Sequence, residues 1–273
     1  VQLVGGLLGF GAALAAESVI RENPFPVGNQ QLFWMAVGAS VFSLLMVSLL
    51  KDEPLPHPAP RPRFRHMLAE IPGILRGDRD YRRFLEGRLL QAVATGGMGF
   101  VVVAGLQGQT LRPSDAALLA AAFILAQAVL GFALGALGNA IGWRAVMVVG
   151  GLLLAAGFGV AAAGGSLGMS ILAMALLGGA NSLVFVGDPN MSIELAPSGA
   201  TSIYLGLTAT ILGPFFVAGP LLAGVLAPAV GFGAIFVAAA ALGIGGALLC
   251  LRVREPRHRV GGRAADRADE VLP

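Results

Sequence analysis

The sequence predicts an all-α membrane protein, a helical bundle that crosses the bilayer about eight times. Hydrophobic residues make up 56% of the 273-residue chain and charged residues only 12%, with a mean hydropathy of +0.80; soluble domains are about 25% charged. Eight apolar runs reach the length of about 20 residues that a transmembrane helix needs. The 40 glycines fall largely inside these runs, where small side chains let membrane helices pack closely.

One polar interruption, residues 51–83, divides the eight runs unequally. Two runs precede it, at about 1–20 and 31–50. Six runs follow it, at about 84–106, 115–137, 143–163, 169–187, 201–224 and 229–251. The connections between these six runs are short, and a polar, basic tail (253–273) ends the chain.

The two halves of the interruption have different patterns. Residues 54–62 are rich in proline and cannot form a regular helix. In the second half, apolar residues recur at helical spacing between basic ones, at Phe64, Met67, Leu68, Ile71 and Leu75. That pattern predicts a short interfacial helix on a basic membrane surface, broken near Pro72-Gly73. A linker without regular structure is the alternative.

Basic residues gather on one side of the membrane when the eight runs alternate in direction. The interruption and adjoining helix end, the 138–144 connection and the tail then hold 16 of the 18 Lys and Arg residues, which leaves Arg21 and Arg112 on the other side. The positive-inside rule therefore predicts a cytoplasmic central loop and a cytoplasmic C-terminus. Because 17 of the 18 are Arg, we expect a GC-rich bacterial genome and hence the bacterial cytoplasmic (inner) membrane.

A loop signature lies between the fourth and fifth runs. It reads Gly135-Ala136-Leu137-Gly138-Asn139-Ala140-Ile141-Gly142-Trp143-Arg144 and resembles the cytoplasmic G-x-L-x-D-x-x-G-x-R loop of the major facilitator superfamily (MFS). Glycines Gly135 and Gly142 allow a tight reversal, and Arg144 faces the cytoplasm. Asn139 stands where the family has an acid, and an amide cannot form the ion pair. An ordinary glycine-rich turn is the alternative interpretation.

The resemblance extends over the whole topology. The segment 80–84, before the third run, and the stretch 195–224 are similar to MFS sequences at the same places. MFS members have twelve helices in two halves of six. The resemblance therefore implies that residues 1–50 are the last two helices of the N-terminal half, 51–83 the cytoplasmic central loop and 84–252 the C-terminal half. We expect an N-terminally truncated member; a trimmed signal peptide ending near Ala13-Leu14-Ala15 is the alternative.

The activity implied by the resemblance is secondary active transport. An MFS permease moves a small solute by alternating access, and we expect the truncated chain to be inactive alone. A non-transporting protein that keeps the fold as a receptor, assembly partner or relic is the alternative, and Asn139 favours it. His57, His66 and His258 lack metal-site spacing, and no glycine-rich phosphate loop occurs. We therefore predict no enzyme, catalytic residue, metal, cofactor or nucleic-acid partner.

Polar residues inside the apolar runs are the candidates for substrate contacts. Gln91 and Thr95 lie one helical turn apart in the third run, Gln127 lies in the fourth and Asn181 in the sixth. The family's fold places the third and sixth runs beside a central cavity, so Gln91, Thr95 and Asn181 are the predicted substrate-binding residues, and Gln127 is a further candidate. Polar bridges between helices are the alternative. Glu17 is the candidate carboxylate for a coupling proton, with solvation at the outer interface as its alternative.

The remaining charged residues predict the charge of the transported molecule. We expect Arg88 to extend its head group to the membrane surface, and Asp188 and Glu194 to lie in an inner connection, paired with Arg or capping helices. No run after the interruption then has an acid, Lys or His at mid-membrane, where a charge costs about 2.5–3.5 kcal/mol. The predicted partners are the lipid bilayer, a neutral or amphipathic small molecule and a coupling proton.

Overall fold

The computed structural model describes residues 2–23, 26–49, 64–113, 115–197 and 199–254. These residues form ten α-helices and one π-helical turn, and they contain no strand, which confirms the predicted all-α fold class. The helices are α1 (Gln2–Glu22), α2 (Val27–Ser48), α3 (Phe64–Gly77), α4 (Arg79–Thr95), α5 (Phe100–Gln107), α6 (Asp115–Ile141), α7 (Trp143–Ala163), α8 (Leu167–Ser182), α9 (Asp188–Leu195) and α10 (Thr201–Leu251), with the π-helical turn at Leu183–Gly187.

Seven helical stretches in the described part of the chain are long and apolar enough to cross a membrane. Two of them join several helices: α4 and α5 form Arg79–Gln107, and α8, the π-helical turn and α9 form Leu167–Leu195. The last, α10, has 51 residues. At 1.5 Å per residue that is about 76 Å, more than twice the roughly 30 Å of a bilayer core. A single span cannot account for α10.

Hydrogen bonds from α4 show that α10 folds back on itself. The Tyr81 hydroxyl donates to the carbonyl oxygen of Tyr204, near the start of α10, at 3.0 Å. Arg83 Nη1 donates to the carbonyl oxygen of Arg252, just past the end of α10, at 3.1 Å. Both ends therefore lie beside one turn of α4. The reversal falls at Gly231, where the backbone is non-helical with φ 79°, so α10 supplies two antiparallel arms and the described residues form eight crossing segments.

The position of this reversal differs from the prediction. The sequence predicted a connection between residues 224 and 229, and that boundary is wrong because these residues are helical. Pro228 stays inside α10, since neighbouring groups can satisfy the carbonyl that a proline frees in a membrane helix. Gly231 can adopt a positive φ because it has no Cβ. The chain therefore turns there.

The helix predicted in the polar interruption is present as α3, but its predicted break is wrong. α3 continues through Pro72-Gly73 without interruption. Ile71, Ile74 and Leu75 pack against a buried apolar cluster of the bundle, and this packing holds the helix although Pro72 has no N–H to donate. The proline-rich segment 54–62 lies outside the described residues.

The span made of α4 and α5 is discontinuous. Between the two helices, the N–H groups of Gly96, Gly97 and Met98 donate to the third preceding carbonyl oxygen rather than the fourth, which tightens the backbone locally. Gly96 lies directly against the backbone of Gly219 and Pro220 in α10, and a Cβ on Gly96 would overlap those atoms. The two spans therefore cross in close contact at this break.

The bundle has its core among the helices after the interruption. α4 and α7 pack against α10, and α8 packs against α6 and α7. α1 lies along α6, with Gly6 against Ala128 and Gly9 against Ile124. α2 contacts α1 near its start, where Gly28 lies against Ile20, and leaves large apolar side chains such as Trp34 exposed. Such a surface suits lipid or further membrane segments rather than water.

Candidate functional site

A buried ion pair joins α4 to α9. Arg88 Nη2 donates to Asp188 Oδ2 at 2.7 Å, and Arg88 Nε donates to Asp188 Oδ1. The two residues are 1% and 6% exposed. A bidentate arginine–carboxylate pair of this kind is among the stronger polar contacts in proteins. It ties two membrane-spanning segments together, and both charged side chains are buried.

This geometry corrects two predictions about charged residues. Arg88 does not extend to the membrane surface, because Asp188 compensates its charge inside the protein. Asp188 does not lie in a connection after residue 187, because the helix continues through the π-helical turn to Leu195. Pro189 is tolerated inside this continuous helix because neighbouring groups in a membrane helix can satisfy the carbonyl oxygen that a proline leaves without a donor. Asp188 does pair with an arginine, but the partner is the buried Arg88 and not the cytoplasmic arginine that was predicted.

Gln91 extends the ion pair toward α7. Its Oε1 accepts from Arg88 Nη1 at 2.9 Å, and its Nε2 donates to the carbonyl oxygen of Met147 at 3.4 Å. The side chain is completely buried. Gln91 therefore lies within a polar cluster at the packed centre of the C-terminal helices and orients the arginine.

A chain of hydroxyl groups continues from Asp188 to α10 and back to α4. Ser192 Oγ donates to the Asp188 carbonyl oxygen at 2.7 Å and lies 2.8 Å from Thr208 Oγ1. Thr208 Oγ1 lies 2.9 Å from the Tyr81 hydroxyl. All three hydroxyl residues are buried. The cluster thus connects α4, α9 and the first arm of α10 by polar contacts.

A cavity of about 280 Å³ lies beside this cluster, between the π-helical turn with α9 and the first arm of α10. Asp188, Ser192 and Thr208 form its polar floor. Its walls are mainly apolar and include Leu205, Leu212 and Phe216. A small molecule could reach these three polar residues through this cavity.

The structure separates the four predicted substrate-binding residues into different surroundings. Asn181 Nδ2 donates to Gln127 Oε1 at 3.3 Å, so these two form an amide bridge between α8 and α6. Thr95 is the last residue of α4, at the helix break, and its hydroxyl donates to the Ala92 carbonyl oxygen at 2.6 Å. Gln91 belongs to the ion-pair cluster. The side chain of Glu17, the proton-coupling candidate, lies outside the described residues.

The loop signature forms the junction of α6 and α7. Gly142 has φ 103° and ψ 158°, a backbone conformation open almost only to glycine. Gly138 packs against the Trp143 ring, and Arg144 Nη1 donates to the carbonyl oxygen of Val253 at 3.4 Å. Asn139 lies in the last turn of α6. The signature therefore makes a tight reversal that touches the end of α10.

Sequence reasoning missed the roles of Asp188, Ser192, Thr208 and Tyr81. One local signal could have indicated two of them, because Asp188 and Ser192 are four residues apart and share a helix face. Arg88 and Gln91 share a face in the same way. That the two faces meet depends on the packing of α4 against α9, which no local pattern contains.

Comparison with known proteins supplies the family. A sequence model described as Major Facilitator Superfamily matches residues 87–272, which is more than half of the chain. No curated protein matches the chain. The matched region contains the loop signature, the ion pair and both arms of α10. With its eight apolar crossing segments and this match, the chain belongs to the Major Facilitator Superfamily and is a multi-pass membrane transporter of that type.

Proposed function

We propose that the protein is a secondary active transporter that moves a small neutral or amphipathic solute across the bacterial cytoplasmic membrane by alternating access. The ion pair between Arg88 and Asp188 supports this proposal most directly. Its two charges compensate each other, so the interior of the described helices offers a charged solute no uncompensated partner at this place. A neutral cargo follows from that balance. Glu17 remains our candidate for proton coupling.

We propose Thr95, Gln127, Asn181 and Gln91 as the residues that contact the substrate. Thr95 lies at a helix break, and breaks of this kind line the binding sites of many transporters. Gln127 and Asn181 present amide groups that can exchange their mutual hydrogen bond for one to a solute. Gln91 becomes accessible only when the ion-pair cluster opens during the transport cycle.

We also propose that the basic end of the bundle is cytoplasmic. The contacts of Arg83 with Arg252 and of Arg144 with Val253 gather the start of α4, the α6–α7 junction and the end of α10 at one end. In the sequence, the segments that adjoin this end carry most Lys and Arg residues of the chain. In this arrangement α1 and α2 come from the N-terminal half, and the packing of α1 on α6 is the contact between the halves.

A second candidate is a non-transporting protein that retains the MFS fold as a receptor, assembly partner or relic. One observation favours it. Asn139 replaces the acidic residue of the loop signature, so a charge-dependent step of the gating cycle has no carboxylate at that position.

Solute flux in cells that overproduce the full-length parent of this chain separates the two candidates, because we expect the 273-residue chain alone to be inactive. Uptake and efflux are measured for neutral, cationic and anionic radiolabelled solutes of one size class. We expect flux of neutral solutes, reduced about tenfold or more when Gln91, Thr95 and Asn181 are replaced together by Ala. Unchanged flux in that triple variant would remove the assigned contacts and leave the transporter proposal standing. No flux for any class favours the second candidate.

A further inference from the structure

We propose that the cavity between α9 and the first arm of α10 is a binding site for a small, neutral, largely apolar molecule that carries one hydrogen-bond donor. The donor points at the Asp188 carboxylate. This site goes beyond the proposed function, because the residues that line the cavity include none of the four substrate contacts proposed above. It can therefore be occupied, and tested, independently of transport.

The shape and lining of the cavity set the size and polarity of the molecule. Its volume of about 280 Å³ lies at the lower limit of the roughly 300–1,000 Å³ that small-molecule sites occupy. Leu205, Leu212 and Phe216 provide aliphatic and aromatic walls, and Ala209 is an exposed lining residue. The site fits a molecule of the size of a substituted benzene ring. A flexible lipid chain would extend beyond it.

The polar floor sets the charge of the molecule. The Asp188 carboxylate accepts two hydrogen bonds from Arg88, and a carboxylate has about four lone-pair positions, so it can accept from one more donor. Ser192 and Thr208 already bond each other and their neighbours. An anion would meet the carboxylate oxygens, and a cation would find a carboxylate already compensated by Arg88. A neutral hydroxyl or N–H group satisfies both conditions.

Three ligands of equal size test the charge class. The purified 273-residue protein in lipid nanodiscs is titrated with 2-phenylethanol, phenethylammonium and phenylacetate, and empty nanodiscs provide the partition blank. We expect saturable binding of 2-phenylethanol above the blank, and binding of the two charged analogues about tenfold weaker or more. Binding of 2-phenylethanol equal to the blank would overturn the proposal, as would equal affinity for all three.

A matched pair of variants locates the binding. Ala209→Trp fills the cavity from an exposed position, and Ala238→Trp places the same side chain at an exposed position on the second arm, outside the cavity lining. We expect the first variant to weaken 2-phenylethanol binding about tenfold or more and the second to leave it unchanged. Equal binding in both variants would assign the signal to another place in the protein and overturn the proposal.

A third variant tests whether the Asp188 carboxylate sets the charge preference of the cavity. Asp188→Asn keeps the size of the side chain but leaves the Arg88 charge uncompensated, so the preference should move from 2-phenylethanol to phenylacetate. An unchanged preference contradicts the role given to Asp188. If this variant does not fold, the Ala209→Trp and Ala238→Trp pair decides alone. Flux measured in parallel distinguishes the two proposals, because absence of 2-phenylethanol binding by the unaltered protein, with flux retained, rejects only the cavity site.

Discussion

Arg88 and Asp188 stabilise the bundle only as a pair. Each would be a single buried charge without the other, and a charge inside a membrane segment costs about 2.5–3.5 kcal/mol on insertion scales. Together they form a neutral bidentate contact, extended by Gln91 on one side and by Ser192 on the other. The cluster thereby fixes α4 against α9 at the side of the cavity.

Removing one partner of this pair should destabilise the protein more than removing both. We expect Asp188→Leu to lower the free energy of unfolding by about 3–5 kcal/mol, because Arg88 is then buried without a counter-charge. The double variant Arg88→Met/Asp188→Leu should recover much of this loss, since two apolar side chains need no compensation. Thermal unfolding of both variants in the same detergent measures the difference. Equal loss in the single and the double variant would contradict the pairing argument.

The sequence predicted which residues of the site are polar but not how they pair. Gln91, Gln127 and Asn181 stand out as amides within apolar runs, and the structure places all three in hydrogen bonds. The partner of Arg88 was not predictable, because the π-helical turn before Asp188 adds a residue to one turn and rotates α9. Helical periodicity does not register such an insertion.

At the scale of helices, two glycines determine how neighbouring elements meet. Gly142 lets α6 end and α7 begin within one residue, and Gly96 lets α4 cross α10 with backbones in contact. The first needs a backbone conformation that side chains rarely adopt, and the second needs the absence of a Cβ. Each requirement can be tested against a nearby control glycine that has an ordinary backbone conformation and no close neighbouring atom.

The α6–α7 junction should not tolerate a side chain at Gly142. We expect Gly142→Ala to lower the free energy of unfolding by about 1–3 kcal/mol, because its φ of 103° and ψ of 158° are strained for any other residue. Gly135→Ala is the matched control. Gly135 is helical, and the nearest atom to an added Cβ would be at 3.7 Å, so its stability should stay the same or rise slightly. A control loss as large as the Gly142 loss would contradict the prediction.

The crossing of α4 and α10 should open when Gly96 receives a side chain. Gly96→Ala places a Cβ inside the backbone of Gly219 and Pro220, so we expect a loss of about 1–3 kcal/mol in unfolding free energy. Gly99→Ala, three residues away, meets no atom within 4 Å and should leave stability unchanged. Denaturation curves of the two variants give the comparison, and a tolerated Gly96→Ala would show that the helices do not cross there as closely as described.

Helix positions were predictable to within a few residues where apolar runs end at polar residues. α7 matches its predicted range of 143–163. The predicted boundaries are wrong where a proline was expected to end a helix and does not. α3 continues through Pro72. α10 continues through Pro228 and reverses at Gly231 instead. In both places tertiary packing and membrane surroundings outweigh the local preference of proline.

Orientation is a property of the whole molecule, and two arginines at opposite ends test it. Arg82 is exposed at the start of α4, and Arg112 is exposed before α6. The one cysteine, Cys250, is buried, so the parent protein gives a low labelling background. We expect a membrane-impermeant maleimide on intact cells to label Arg112→Cys but not Arg82→Cys, and inverted vesicles to reverse this pattern. Labelling of Arg82→Cys on intact cells would invert the proposed topology.

The angle between the two arms of α10 is set by the backbone of Gly231, the residue at which the helix reverses. The arms are joined there through a single non-helical residue, so a change in the angle between them would displace their far ends most. Thr208, on the cavity floor, is 23 residues from Gly231. That distance is about 35 Å along a helix, so a rotation of about 5° at Gly231 displaces Thr208 by about 3 Å. A change of angle at Gly231 would therefore act directly on the cavity and on the contact between Thr208 and Ser192.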